Sequence, residues 1–74
     1  MIPQINLKKT GQNIKNLMKE HHLSIGDIQE LCGITSKASI YKWFHGMCIP
    51  STDNLVILAD AFGCALEDVL VVEK

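Results

Sequence analysis

The sequence predicts a small all-α protein: a compact five-helix domain built around two short central helices. Apolar residues recur at spacings of three and four, as on one face of an α-helix. Asn and Ser residues that can start helices precede these segments, and Gly residues close several of them. The chain has 74 residues, of which 47% are hydrophobic, so one domain over residues 1–74 with a single core is expected.

The first helix is expected from about Leu7 to His21, after an extended arm of residues 1–6 whose last residue, Asn6, caps it. Its apolar face is expected to comprise Leu7, Gly11, Ile14, Leu17 and Met18. Glycine inside a helix costs up to about 1 kcal/mol relative to alanine. Gly11 therefore indicates close packing or a late helix start.

Two short helices with a tight turn between them are predicted for residues 24–45. Ser24 is placed to cap the first helix, and Asp27 completes a capping-box pattern three residues later. The apolar face of this helix is expected to contain Ile25, Ile28, Leu31 and Cys32. Gly33 ends the helix, where a left-handed residue is needed.

The second central helix is capped by Thr35 or Ser36 and ends before Gly46. Within it, Trp43 follows Ile40 by three residues and is therefore expected in the core. Helix, glycine turn and capped helix at this spacing form the helix-turn-helix arrangement. In that arrangement the second helix enters the major groove of DNA.

The last third of the chain predicts two more helices. Ser51 caps the fourth, which runs to Phe62 and is closed by Gly63. A short fifth helix is expected over about residues 66–70. Residues 71–74 form a C-terminal tail whose two valines either pack back or meet a partner.

Charge is distributed unevenly along the chain, although the formal net charge is only −1. Residues 1–50 carry six lysines and three acids, whereas residues 51–74 carry one lysine and five acids. This asymmetry suggests one face for an anionic partner and another face for a different role. Arginine, the commonest bidentate reader of guanine, is absent from the sequence.

Several function classes are not expected. No nucleophile motif, phosphate loop, catalytic carboxylate pair or metal-ligand spacing occurs, so neither an enzyme nor a metal or other cofactor is predicted. The cysteines, Cys32, Cys48 and Cys64, lack a CxxC spacing and are read as reduced. Because no membrane-length apolar run or signal-peptide pattern is present, a cytoplasmic location without membrane association is expected.

The order and spacing of these motifs resemble the Cro and phage-repressor type of helix-turn-helix domain, also called the xenobiotic response element family. The resemblance covers about residues 10–70 and is carried by Gly11, Ile14, Leu23-Ser24, Gly33-Ile34-Thr35, Ile40, Trp43, Gly46, Pro50-Ser51, Leu55, Ala59 and Gly63. It implies a lambda-repressor-like fold, usually of a prokaryotic or phage regulator that binds operator DNA as a homodimer.

The resemblance also assigns candidate DNA-contacting residues. If Ile40 matches the buried position of the family's recognition helix, the groove-facing residues for base readout are Lys37, Ala38, Tyr41 and Lys42, with Ser39 beside them. Phosphate contacts are assigned to Asn13, Lys15, Lys19, Ser24, Gln29 and Ser36. Three alternatives stay open. Lys37 and Lys42 either read bases or only bind phosphates, and Tyr41 either contacts the groove or packs over the loop. Gln29 either faces DNA or forms a local hydrogen bond.

The sequence departs from the family pattern at several positions. The turn is one residue longer, at Ser36, and Ile25 stands where a polar phosphate-binding residue is common. Met18 and Phe44 occupy positions where many members have an ion pair. Because both charges are replaced by apolar groups, these two side chains are expected to touch.

The predicted function is a sequence-specific transcriptional regulator, repressor-like, acting on double-stranded DNA. An antitoxin-type regulator is an alternative. A second alternative is a protein-interaction module of the same fold that has lost DNA binding. The absence of arginine, the apolar loop of residues 47–49 and the acidic C-terminal third favour that reading.

Overall fold

The computed structural model describes residues 3–73. Its elements follow the chain in the order β1 (Gln4–Ile5), α1 (Leu7–Glu20), α2 (Ile25–Cys32), α3 (Lys37–Phe44), α4 (Thr52–Phe62), α5 (Leu66–Val69) and β2 (Val72–Glu73). The five predicted helices are present, and their ends fall within about one residue of the predicted ends. The all-α fold class is confirmed, with a two-stranded ribbon as the one addition among these residues.

Side-chain caps account for most of the helix starts. Asn6, Ser24, Ser36 and Ser51 each accept a backbone N–H from the first turn of the helix that follows. Such caps satisfy amide groups that have no partner within the helix. The structure therefore resolves the choice between Thr35 and Ser36 in favour of Ser36.

One core joins the helices. Its buried apolar residues are Ile14, Met18, Ile28, Ile40, Trp43, Leu55, Leu58, Ala59, Phe62 and Val69. Two expected core residues lie outside it: Leu7 is 40% exposed and Leu31 is 47% exposed. Leu7 is the first residue of α1 and lies at the edge of the domain. On α2, Ile25 and Cys32 lie on one side of the buried Ile28 and pack against the core, whereas Leu31 lies on the other side and faces solvent.

Helix α1 crosses the end of α3 at Gly11. A Cβ atom built on Gly11 would overlap the carbonyl oxygen of Trp43 and lie 3.1 Å from the Cα of Phe44. The close-packing interpretation of Gly11 is confirmed, because only a residue without a side chain fits there. Met18 belongs to the core, and Phe44 packs against the core from its edge. Direct contact between the Met18 and Phe44 side chains stays a prediction.

The two ends of the described chain pair with each other. Strand β1 is antiparallel to β2, with Gln4 opposite Glu73 and Ile5 opposite Val72. Residues 4–5 of the arm are thus extended, and residues 71–73 of the tail pack back onto the domain. The ribbon itself was not predicted, because strands of two residues have no recognisable sequence period.

A buried hydroxyl fastens this ribbon to α1. Thr10 is 1% exposed, and its Oγ1 accepts the Val71 amide at 2.9 Å. The Val71 carbonyl accepts the Asn6 amide at 2.8 Å. On the outer side, Glu73 accepts from the Asn6 side chain at 2.7 Å and pairs with Lys9 at 3.2 Å.

Replacing Thr10 with valine is expected to lower the free energy of unfolding by about 1 kcal/mol, because the Val71 amide loses its acceptor while the core keeps its shape. Amide hydrogen exchange should show faster exchange at Val71 in this variant. Thr10→Ser is the matched control, since it keeps the hydroxyl and should keep the amide protected. Equal protection in both variants would contradict the assignment.

Candidate nucleic-acid interface

Local hydrogen bonds fix the start of α2, and a left-handed glycine ends this helix before the turn to α3. The Ser24 hydroxyl accepts the Asp27 amide at 3.1 Å, and the Asp27 carboxylate accepts the Ser24 amide at 2.8 Å. These bonds hold the pKa of Asp27 below its usual value, so the capping box is intact at neutral pH. Gly33 then takes the left-handed conformation, with φ of 66°, and directs the chain towards the Ser36 cap of α3.

Helix α3 has one buried side and one exposed side. Ile40 and Trp43 are buried and anchor the helix on the core. Successive residues turn by about 100° around a helix axis. The opposite side therefore carries Ala38, Tyr41 and Lys42, with the exposed Lys37 at one of its borders and the half-buried Ser39 at the other. The structure thus places three of the five residues predicted for base readout on the exposed side of α3 and the other two at its borders.

The two lysine amines of this surface are free. Within residues 3–73, the only ion pair joins Lys9 to Glu73, far along the chain from α3. Lys37 and Lys42 therefore have no acidic group within salt-bridge distance in the part of the chain that the structure describes. Free ammonium groups on an exposed helix can donate to phosphate oxygens or to the acceptors of guanine.

Basic and hydroxyl groups lie on the elements that flank α3. Lys15 and Lys19 are exposed on α1, and the Lys15 Nζ lies 5.8 Å from the centroid of the Phe44 ring. The hydroxyls of Ser24 and Ser36 accept cap hydrogen bonds but keep their own hydrogens for donation. Gln29 is half-buried on α2.

Comparison with known protein families agrees with this geometry. The sequence model of the helix-turn-helix family matches residues 14–69, which is more than half of the chain. The chain belongs to the helix-turn-helix family. The match supports the Cro and phage-repressor type, a family of DNA-binding regulatory domains rather than of enzymes. No curated protein and no solved structure matched the chain.

The structure corrects the prediction that Asn13 of this helix-turn-helix domain contacts a DNA phosphate. Its side-chain amide donates to the carbonyl oxygens of Asp68 at 2.8 Å and Val69 at 2.9 Å. Both amide hydrogens are thus used within the protein, and the remaining oxygen is an acceptor that phosphate would not attract. Asn13 fastens α5 to α1, and we exclude it from the proposed DNA contacts.

The ring of Phe44 was not predicted to take part in the interface of the helix-turn-helix domain. Besides the Lys15 amine, it contacts the Tyr41 ring, with centroids 6.0 Å apart and planes at 83°. Tyr41 is 45% exposed, so its other side stays open to solvent. The sequence carries no signal for the Lys15 contact, since the two residues lie on separate helices.

The cysteines of the helix-turn-helix domain are free thiols. Burial raises the pKa of the Cys32 thiol, and burial together with the charge of Asp68 raises the pKa of the Cys64 thiol. Both are therefore poor nucleophiles at neutral pH. Among residues 3–73, no group of three His, Cys, Asp or Glu residues is placed to hold a metal ion. Within the same residues, no helix has the length and apolar character that crossing a bilayer requires.

Proposed function

We propose that the protein is a sequence-specific transcriptional regulator that binds double-stranded DNA with α3 in the major groove. One observation carries the proposal: α3 is anchored by Ile40 and Trp43, and its exposed side presents the unpaired amines of Lys37 and Lys42. A helix that enters the groove needs an exposed side with donors for base edges or phosphates. We assign base readout to Lys37, Ala38, Ser39, Tyr41 and Lys42.

Contacts to the DNA backbone are proposed for residues beside α3. Lys15 and Lys19 supply exposed amines, and Ser24 and Ser36 supply hydroxyl donors at the starts of α2 and α3. The positive end of the α2 dipole adds to the attraction for phosphate. Gln29 stays in this group as a contact from the side of α2.

The test is a titration of fluorescently labelled duplex with the wild-type protein and with Lys37→Ala, Lys42→Ala and the double variant. Each lost ammonium contact should weaken binding by about eightfold in 0.1 M salt and reduce the slope of log K against log salt by about 0.9. The double variant should therefore bind about 60-fold more weakly, with a slope smaller by about 1.8.

Lys9→Ala is the matched control, because it removes the same charge from α1, where Lys9 already pairs with Glu73. Its affinity for duplex should stay within about twofold of the wild-type value, since it contacts no phosphate in this arrangement. Equal losses in Lys9→Ala and Lys37→Ala would mean that only net charge matters. Unchanged affinity in the double variant would refute α3 as the reader.

Selection from random duplexes decides between the two roles left open for the α3 lysines. A lysine that donates to a base should, when removed, relax the preference at one position by about 1–3 kcal/mol. A lysine that binds phosphate should weaken binding to all sequences alike. The same selection would identify the operator.

We further propose that the protein acts as a homodimer and as a repressor in the cytoplasm. A single domain of this size buries little surface on DNA, and two copies can read half-sites about one helical turn apart. Exposed apolar side chains that a second copy could cover include Met47, 67% exposed, and Val56 on α4. Sedimentation at high concentration should show a dimer, and a monomer under those conditions would contradict this part of the proposal.

A second candidate function, a protein-interaction module, is favoured by a cleft along α2. The cleft has a volume of about 480 Å³ and is lined by Leu23, Asp27, Glu30 and Leu31, which combine apolar surface with two acids. Such a lining suits a peptide with basic and apolar residues. Failure of the wild-type protein to bind any duplex in low salt would favour this candidate over the regulator.

A further inference from the structure

Three side chains from two helices form a continuous row at one edge of α3. The Lys15 amine of α1 lies over the ring of Phe44, 5.8 Å from its centroid, and the Tyr41 ring meets the same ring edge-on. Phe44 is half-buried and packs against the core, so the central ring of this row is held in place. Lys15 and Tyr41, which both contact this ring, are exposed.

The helical positions place Tyr41 away from the centre of the exposed side of α3. At about 100° per residue, Tyr41 lies between Ala38, near the centre, and Phe44, on the border that faces α1. Lys42 lies on the other side of that centre. A helix in the major groove has its central residues at the bases and its borders nearer the two sugar-phosphate strands.

Phe44 limits the freedom of the lysine beside it. The ammonium group of an unrestrained lysine moves over many rotamers, and ordering it on a phosphate costs conformational entropy. Attraction between the ammonium group and the ring face restricts the Lys15 side chain before DNA arrives. Within residues 3–73, Lys15 has no acidic partner, so its charge stays available to an anion.

We propose that Lys15 and Tyr41 contact backbone phosphates on one strand of DNA, with Phe44 as the residue that positions Lys15. The Lys15 ammonium and the Tyr41 hydroxyl are the two donors, and their ligands are phosphodiesters of the strand that passes the α1 side of α3. This inference rests on the proposed function. It moves Tyr41 from base readout to phosphate contact and gives Phe44 a role in DNA binding.

A double-mutant cycle on duplex binding tests the positioning role. Lys15→Gln should weaken binding by about eightfold in 0.1 M salt and reduce the salt slope by about 0.9. Phe44→Leu should weaken binding by about two- to fivefold when Lys15 is present, because the released lysine side chain must then be ordered on the phosphate. In the Lys15→Gln background, Phe44→Leu should have almost no further effect.

Three further variants sharpen the test. Phe44→Tyr keeps the ring next to Lys15 and should bind duplex with wild-type affinity. Tyr41→Phe keeps the contact between the two rings but lacks the hydroxyl, so its affinity for duplex should fall about threefold. Tyr41→Phe should lose the same factor on every duplex sequence, because a phosphate contact does not depend on the base. Lys9→Gln is the control for charge and should leave the salt slope unchanged, since Lys9 pairs with Glu73.

A measurement without DNA checks the contact itself. In the free protein, the ε-methylene protons of Lys15 should be shifted upfield by the Phe44 ring, and Phe44→Leu should return them to the position found for exposed lysines. Equal shifts in both proteins would overturn the positioning role. So would an equal loss of affinity from Phe44→Leu in both backgrounds, because that result would reflect a general loosening of the fold.

The outcomes separate this inference from the proposed function. If duplex binding depends on Lys37 and Lys42 but Lys15→Gln and Tyr41→Phe leave affinity and salt slope unchanged, the phosphate site is refuted and the regulator remains. If Tyr41→Phe loses affinity for only one base sequence, Tyr41 reads a base. That result would refute its role as a phosphate donor. If the wild-type protein binds no duplex, both proposals fall together.

Discussion

Gly11→Ala is expected to lower the free energy of unfolding by about 3 kcal/mol or more, at the upper end of the range for an overpacked core. The added methyl group would overlap the carbonyl oxygen of Trp43, which is backbone and cannot rotate away. Helices α1 and α3 would have to separate, which would also loosen the contacts that hold α3 on the core. For a domain of this size, the melting temperature should fall by about 12–24 °C.

Gly26→Ala is the matched control for this prediction. Gly26 lies in the first turn of α2, and a Cβ built there meets only the Ser24 hydroxyl, at 3.6 Å. The substitution should raise stability by about 0.5 kcal/mol, because alanine loses less backbone freedom on folding. Thermal melts followed by circular dichroism measure both variants. Similar melting temperatures for Gly11→Ala and the wild-type protein would show that α1 and α3 do not pack as closely as described.

Trp43→Ala is also expected to have a large effect and should lower the free energy of unfolding by about 3–5 kcal/mol. Trp43 is 4% exposed and lies on the buried side of α3, so its removal leaves a cavity where α3 meets the core. A domain of 74 residues has a total stability of about 4–11 kcal/mol. The variant should therefore lose from about a quarter to all of this stability, and its duplex binding should fall in step with the unfolded fraction.

Tyr41→Ala serves as the comparison for Trp43→Ala, because it removes an aromatic ring from the same helix. Tyr41 is 45% exposed, and its ring contacts Phe44 at the surface, so the loss in stability should stay below about 1 kcal/mol. Urea unfolding followed by circular dichroism measures both losses without relying on the single tryptophan. Equal losses from the two substitutions would contradict the assignment of Trp43 to the core and Tyr41 to the surface.

The helices could be predicted because their starts and ends depend on neighbours in the sequence. The Ser24 and Asp27 capping box joins residues three apart, and the left-handed turn at Gly33 depends on one residue lacking a side chain. The burial of Ile40 and Trp43 likewise follows from their spacing on one helical face. For the same reason, the exposure of Lys37, Ala38, Tyr41 and Lys42 could be predicted, whereas Ser39 is half-buried.

Part of the candidate site could not be predicted, since it depends on contacts between distant parts of the chain. Asn13 has the residue type of a phosphate contact, and only its position against α5 shows that its amide is already used. The contact between Lys15 and Phe44 likewise arises where α1 crosses α3. The crossing is set by close packing at Gly11, which the sequence indicated, but the sequence of α1 alone does not indicate that α3 is the partner.

By itself, the sequence determined five helices, the caps of α1, α2 and α4 and the side of α3 that faces solvent, because hydrogen bonds and helical periodicity over a few residues decide these features. The tertiary structure alone decided that the two ends pair as a ribbon fastened by Thr10, and that Asn13 binds inward while Lys15 lies over an aromatic ring. These features join residues from about 30 to nearly 70 positions apart. Only packing of the whole chain brings such residues together, since the entropy of closing long loops must be offset by many contacts at once.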